Sequence, residues 1–111
     1  MVDPASGSIS VEAGPGLTVV RLTGEVDAEL RAEASESMAL ALAGDGPLLV
    51  DATATTFVDS SGIAFVMQLH RAATEAGIDV ALRDPRRVLR DVLEIVGYSA
   101  KLRDADAAPV G

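Results

Sequence analysis

Along this chain a two-residue alternation of apolar and polar positions gives way to helical spacing three times. Ser8-Ile9-Ser10-Val11-Glu12 alternates strictly and predicts a half-exposed strand. Ala13-Gly14-Pro15-Gly16 is a turn. Leu17 to Thr23 is rich in β-branched residues and predicts a second strand, paired with the first as a hairpin. Gly24-Glu25-Val26 leaves that strand, and Asp27 is a helix cap by residue type. Leu30, Ala34, Met38, Ala41 and Leu42 then recur at helical spacing as a buried stripe, which Gly44-Asp45-Gly46-Pro47 stops. Leu48 to Ala52 is a nearly continuous apolar run, typical of a parallel strand covered on its faces. A second helix follows Ser60. Ile78, Val80 and Leu82 alternate as the next strand. Asp84-Pro85 reads as a cap with proline at the first helical position. Val88, Leu89, Val92 and Val96 mark a third helix ended by Gly97, and Tyr98 to Leu102 offers an optional short final strand.

Strands that alternate with helices imply right-handed crossovers and a parallel sheet. The expected fold is therefore α/β, with a mixed, mainly parallel four-stranded sheet, an N-terminal antiparallel hairpin and three to four packed helices. The chain has 111 residues, the length of one domain. That domain is placed at residues 8–103. Residues 1–7 are expected to be disordered, and 104–111 to form a mobile acidic tail.

A helix advances about 100° per residue, so the faces of the second helix follow from its sequence. Phe65, Val66, Leu69, Ala72, Ala73 and Ala76 share the core arc. Ile63, Met67, His70 and Thr74 form a neighbouring stripe, with Ser60 on the same side. Two readings follow. The stripe packs beneath another helix of the domain, or Ile63 and Met67 form a small docking surface beside a hydroxyl. Methionine is common at such surfaces.

Composition narrows the chemistry. Hydrophobic residues make up 49% and aromatics 3%, so the core is built from Ala, Val, Leu and Ile. The net charge of −8 argues against direct binding to nucleic acid or insertion at an anionic membrane. No apolar run approaches the roughly 20 residues that span a bilayer. No secretory signal is visible. Cysteine is absent, which fits a cytoplasmic location.

Ser60 opens the second helix, where free N–H groups and the helix dipole favour an anion. A phosphoserine carries about −1.5 to −2 charge. The simpler reading makes Ser60 or Asp59 a helix cap. A serine hydrolase is not indicated. No Gly-x-Ser-x-Gly elbow occurs, and His70, the one histidine, lies roughly 15 Å down the same helix. His70 reads as a surface or boundary residue. For Asp51 and Asp59 a solvated strand end is a better reading than a pair flanking a divalent ion, and there is no Cys/His cluster. No phosphate-binding glycine pattern is present, and no cofactor is expected. Arg86, Arg87 and Arg90 read as a solvated face of the third helix, paired with Asp91 or Glu94.

Gly24-Glu25-Val26-Asp27, a helix, an apolar strand, and then Phe57-Val58-Asp59-Ser60-Ser61-Gly62-Ile63 resemble the STAS domain family. Within it, the chain resembles the bacterial anti-sigma factor antagonists, over roughly residues 8 to 103. The resemblance implies a non-enzymatic partner switch. The unphosphorylated domain would bind an anti-sigma factor that is also a serine kinase. Phosphorylation at Ser60 would break that complex, and a PP2C-type phosphatase would reset it. The motif positions beside Ser60 are Asp59, Ser61 and Gly62; with Ile63 and Met67 of the helix stripe and Asp27 of the Gly-Glu-x-Asp turn they make up the expected partner-binding set. Many relatives place Leu-Gly where this chain has Ile63-Ala64, and the first helix is rich in Ala, Ser and Glu. Two other classes compete: an accessory STAS subunit of a transporter or lipid-trafficking ATPase complex, and a nucleotide or small-ligand sensor at the helix mouth.

Overall fold

The computed structural model describes residues 7–44 and 46–105. β1 (Ser8–Gly14) and β2 (Leu17–Val26) form the antiparallel hairpin. Its two-residue turn ends on Gly16 at φ 82°, a conformation that costs glycine little. β3 (Leu48–Val58), β4 (Val80–Arg83) and β5 (Arg103–Asp104) add in parallel, so the sheet order is β1-β2-β3-β4-β5. Between them run α1 (Arg31–Leu42), α2 (Ser60–Glu75) and α3 (Val88–Ile95).

A monotonic strand order with right-handed crossovers sets all three helices on one face of the sheet. Burial along β2 follows that geometry. Thr18, Val20, Leu22 and Val26 are buried, while Val19, Arg21 and Thr23 between them are half-exposed. The core is aliphatic: Val20, Leu22, Val50, Leu69, Leu82, Leu89 and Leu93 are essentially inaccessible. The other sheet face carries a row of charges. Arg21, Asp51 and Arg83 are register neighbours on three adjacent strands. Arg21 donates to Glu12 at 2.7 Å and lies 3.7 Å from Asp51. Burial alone would raise the Asp51 pKa; the hydrogen bonds from Thr53 and the charges of Arg21 and Arg83 outweigh it, and the net shift is downward.

The strands are longer than the alternation of the sequence indicates. β3 continues past Ala52 to Val58, with Ala52, Thr55 and Val58 facing the core. That spacing is three because two register shifts interrupt the β2–β3 ladder, between Arg21 and Thr23 and between Gly24 and Glu25. An extra residue at each bulge breaks the period of two. Gly24, at φ 68°, therefore sits within β2 instead of leaving it. The Thr55 hydroxyl, buried at this irregularity, donates to the Leu22 carbonyl at 2.8 Å.

The C-terminal region also differs. The short terminal strand is present as a fifth strand beside the four, but it is displaced along the chain. Ser99–Lys101 form a 3₁₀ turn where the optional strand was placed, and the strand itself is Arg103–Asp104. Asp104, assigned to the tail, thus pairs with β4, and the next N–H, of Ala105, donates to the Leu82 carbonyl at 2.8 Å. The expectations for residues 1–6 and 106–111, and for Asp45, lie outside the described residues. α3 begins three residues after Asp84-Pro85, beyond a turn with Arg87 at φ 59°. Asp84 still caps it: its Oδ2 accepts from the N–H groups of Leu89 (2.9 Å) and Arg90 (2.8 Å). Val96 and Ala76, read as buried helical positions, are exposed C-terminal caps.

Candidate functional site

Two strand ends lie side by side where α1 and α2 begin. Val26 and Val58 are register partners, and the N–H of Asp59 donates to the Val26 carbonyl at 3.2 Å. Asp27 and Asp59 follow them in extended conformation. The Asp27 Oδ1 accepts from the N–H of Glu29 at 3.0 Å, capping a 3₁₀ turn over Ala28–Leu30 that leads into α1. The Asp59 Oδ1 accepts from the N–H of Gly62 at 3.0 Å, capping α2.

The capping role at α2 therefore falls to Asp59. Ser60 is the first helical residue and is exposed, and its hydroxyl has no hydrogen-bond partner among the described residues. Gly62 sets how closely the helix approaches the sheet. A Cβ there would lie 2.5 Å from Val58 Cγ2 and 2.6 Å from the Val26 carbonyl oxygen. Only glycine lets the first turn of α2 rest on both strand ends.

The stripe beside Ser60 is largely turned inward at its apolar positions. Ile63 is 4% exposed and belongs to the core, and Met67 is half-buried against it. The C-terminal segment covers this flank. Tyr98, itself buried, places its hydroxyl 2.6 Å from His70 Nδ1 and 3.4 Å from the Met67 carbonyl, with the two rings edge to face. Along the stripe Ile63 is buried, Met67 and His70 are half-buried, with Tyr98 and not another helix against Met67 and His70, and Thr74 is exposed. Burial, followed by the nearby charge of Lys101, lowers the His70 pKa, and burial raises that of Tyr98.

Next to Ser60 in sequence, the exposed positions of the motif and of the first turns of α2 are Phe57, Ser61 and Ala64. Phe57 is 51% exposed at the end of β3. The sequence marks it as the first residue of the motif but gives it no surface role, although it is one of two phenylalanines in the chain. Gly62 is buried and shapes the surface from below, while Asp59 and Asp27 are half-buried by their capping roles.

Other candidate groups are dispersed. Asp51 and Asp59 are eight residues apart along an extended strand, roughly 25 Å, so they do not share an ion. Among the described residues no group of three His, Asp or Glu side chains is placed to hold a metal. Arg87 pairs with Asp91 at 3.2 Å and with Glu94, as the sequence suggests. Arg90 does not join that solvated face. It is buried, and its Nη1 donates to the carbonyl (2.8 Å) and hydroxyl (3.2 Å) of Ser99. No helix among the described residues is long and apolar enough to cross a membrane.

Comparison with known proteins places this geometry. A family model described as "Mlab, STAS domain" matches residues 9–104. No curated protein matches the sequence. Among solved structures, an anti-sigma factor antagonist from Mycobacterium paratuberculosis superposes with a TM-score of 0.73 at 22% identity, over 96% of this chain and 92% of that one. SpoIIAA, an anti-sigma factor antagonist in its unphosphorylated form, gives 0.71 at 22% identity, over 88% of each chain. The phosphorylated form of the Bacillus cell fate determinant SpoIIAA gives 0.63 at 23% identity, over 88% of this chain and 91% of that one. These structures share the fold: one five-stranded mixed sheet with an N-terminal hairpin and its helices on one face. With a family model matching nearly the whole described chain, the protein belongs to the STAS domain family.

Proposed function

We propose that this chain is an anti-sigma factor antagonist that works by partner switching at Ser60. One observation carries the proposal: Asp59 caps α2, leaving the Ser60 hydroxyl exposed and unengaged at the helix N-terminus. A serine that served only as a cap would be tied to the backbone. The folds shared with SpoIIAA in both phosphorylation states support the reading.

The physics of the switch is local. A phosphate on Ser60 suits the positive end of α2 and leaves the fold in place. It also puts a strongly hydrated double charge beside Phe57, Ser61 and Ala64. A partner covering that surface would have to desolvate it, which is costly. The partner in this scheme is an anti-sigma factor with serine kinase activity, and a PP2C-type phosphatase restores the free hydroxyl. Asp27, Asp59 and Gly62 hold the surface in shape, and Ser61 lies on it. Ile63 and Met67 act from beneath. The scheme asks no catalysis of this chain.

The test is affinity capture from cells with intact-mass analysis, comparing wild type with Ser60→Ala and Ser60→Asp. The expected outcome is one phosphate that disappears in Ser60→Ala, retention of a kinase-like partner by Ser60→Ala, and its loss by Ser60→Asp. An unphosphorylated protein that holds a transporter ATPase equally well in all three forms would instead make it an accessory subunit.

A further inference from the structure

The helices α1 and α2 do not close over the sheet along their whole length. Between them lies a groove of about 570 Å³, within the range of small-molecule sites. Its walls are mainly apolar, with Leu30, Ala34, Met38 and Leu42 from α1 and its entry turn, Phe65 from α2 and Ile9 from β1, and Ser35 and Gln68 are the polar residues among them. At the end where both helices begin, the lining turns polar. Ser61 and Asp27 are there, and so is Arg31. Arg31 is exposed and has no ion pair among the described residues, in a chain of net charge −8. Asp27 is differently placed, because its carboxylate already accepts the helix-capping N–H of Glu29.

We infer that this groove is a binding site for a single-chain anionic amphiphile, a fatty carboxylate. The acyl chain would lie along the aliphatic wall, and the carboxylate would pair with Arg31 at the mouth. Each buried methylene favours binding, and the guanidinium supplies two parallel donors matched to a carboxylate. The position of Arg31 follows from helical spacing. It stands three, seven and eleven residues before Ala34, Met38 and Leu42, so the charge caps the same stripe that forms the wall. The inference is independent of phosphorylation at Ser60.

Three probes with one chain length and different headgroups test it: decanoate, decanol and decyltrimethylammonium, each titrated into the full chain and followed by amide chemical shifts. Decanoate is expected to bind most tightly and to move resonances of α1, α2 and Ile9. Arg31→Ala should weaken decanoate about tenfold while leaving decanol unchanged. Ala64→Trp, at an exposed position on the groove wall, should block all three with the melting temperature retained. Equal binding of decanoate and decanol, or tighter binding of the ammonium through Asp27, would overturn the proposal. So would shifts confined to Phe57 and the open sheet face, or none.

Discussion

At the residue scale, the site depends on a division of labour within four consecutive positions. Asp59 bonds the helix N-terminus, Ser60 is left free, Ser61 faces the groove and Gly62 makes the close approach. The last is the least replaceable. A methyl group on Gly62 meets the Val26 carbonyl, part of a ladder that cannot yield without breaking the Asp59 hydrogen bond to the same oxygen. Gly62→Ala should therefore destabilise the fold by about 1–3 kcal/mol, as overpacking generally does, measured by urea denaturation. A stability equal to wild type would mean that α2 can lift from the strand ends. The motif was legible in the sequence, including which residues could cap. Which of two adjacent candidates capped was not, because Asp and Ser have equal preference for that position and only the backbone angles separate them.

At the element scale, the order of strands and helices was readable because hydrophobic periodicity changes sharply between them. Their ends were less so. β3 was cut short at Ala52 because the bulges opposite Thr23 and Glu25 turn a period of two into three. The start of α3 was misplaced because its cap acts across a turn. Asp84 reaches forward to two N–H groups five and six residues away. Asp84→Ala should then cost about 1–2 kcal/mol, and Asp84→Asn less, since an amide oxygen still accepts. Urea midpoints in the order wild type, Asn, Ala would bear this out. Two equal midpoints for wild type and Ala would show that α3 is held by the packing of Leu89 and Leu93 alone.

At the scale of the whole molecule, the C-terminal segment closes the flank of α2 through the His70–Tyr98 contact. Its pH dependence follows from the lowered His70 pKa. The unfolded chain, with histidine near its ordinary value of 6.5, takes up its proton first as pH falls. Stability is therefore full above pH 6.5 and declines as pH drops below it, until the folded histidine also titrates. The slope of stability against pH between 7 and 5 should be shallower in His70→Gln than in wild type. An identical slope in the two proteins would assign the acid sensitivity to the carboxylates.

The sequence by itself determined the α/β class, the hairpin, the three helices and the Phe57-to-Ile63 motif, because each is written in local periodicity and residue chemistry. Tertiary structure alone decided which surfaces remained open. The spacing of Ile63, Met67 and His70 allowed either a buried or an open stripe, and Tyr98, 28 residues from His70 and 31 from Met67 along the chain, folds back against those two. Phe57 was left uncovered, and a groove stayed open between α1 and α2. A helical pattern states which residues share a side of one helix. Whether that side meets water depends on segments distant in sequence, and those contacts leave no periodic trace.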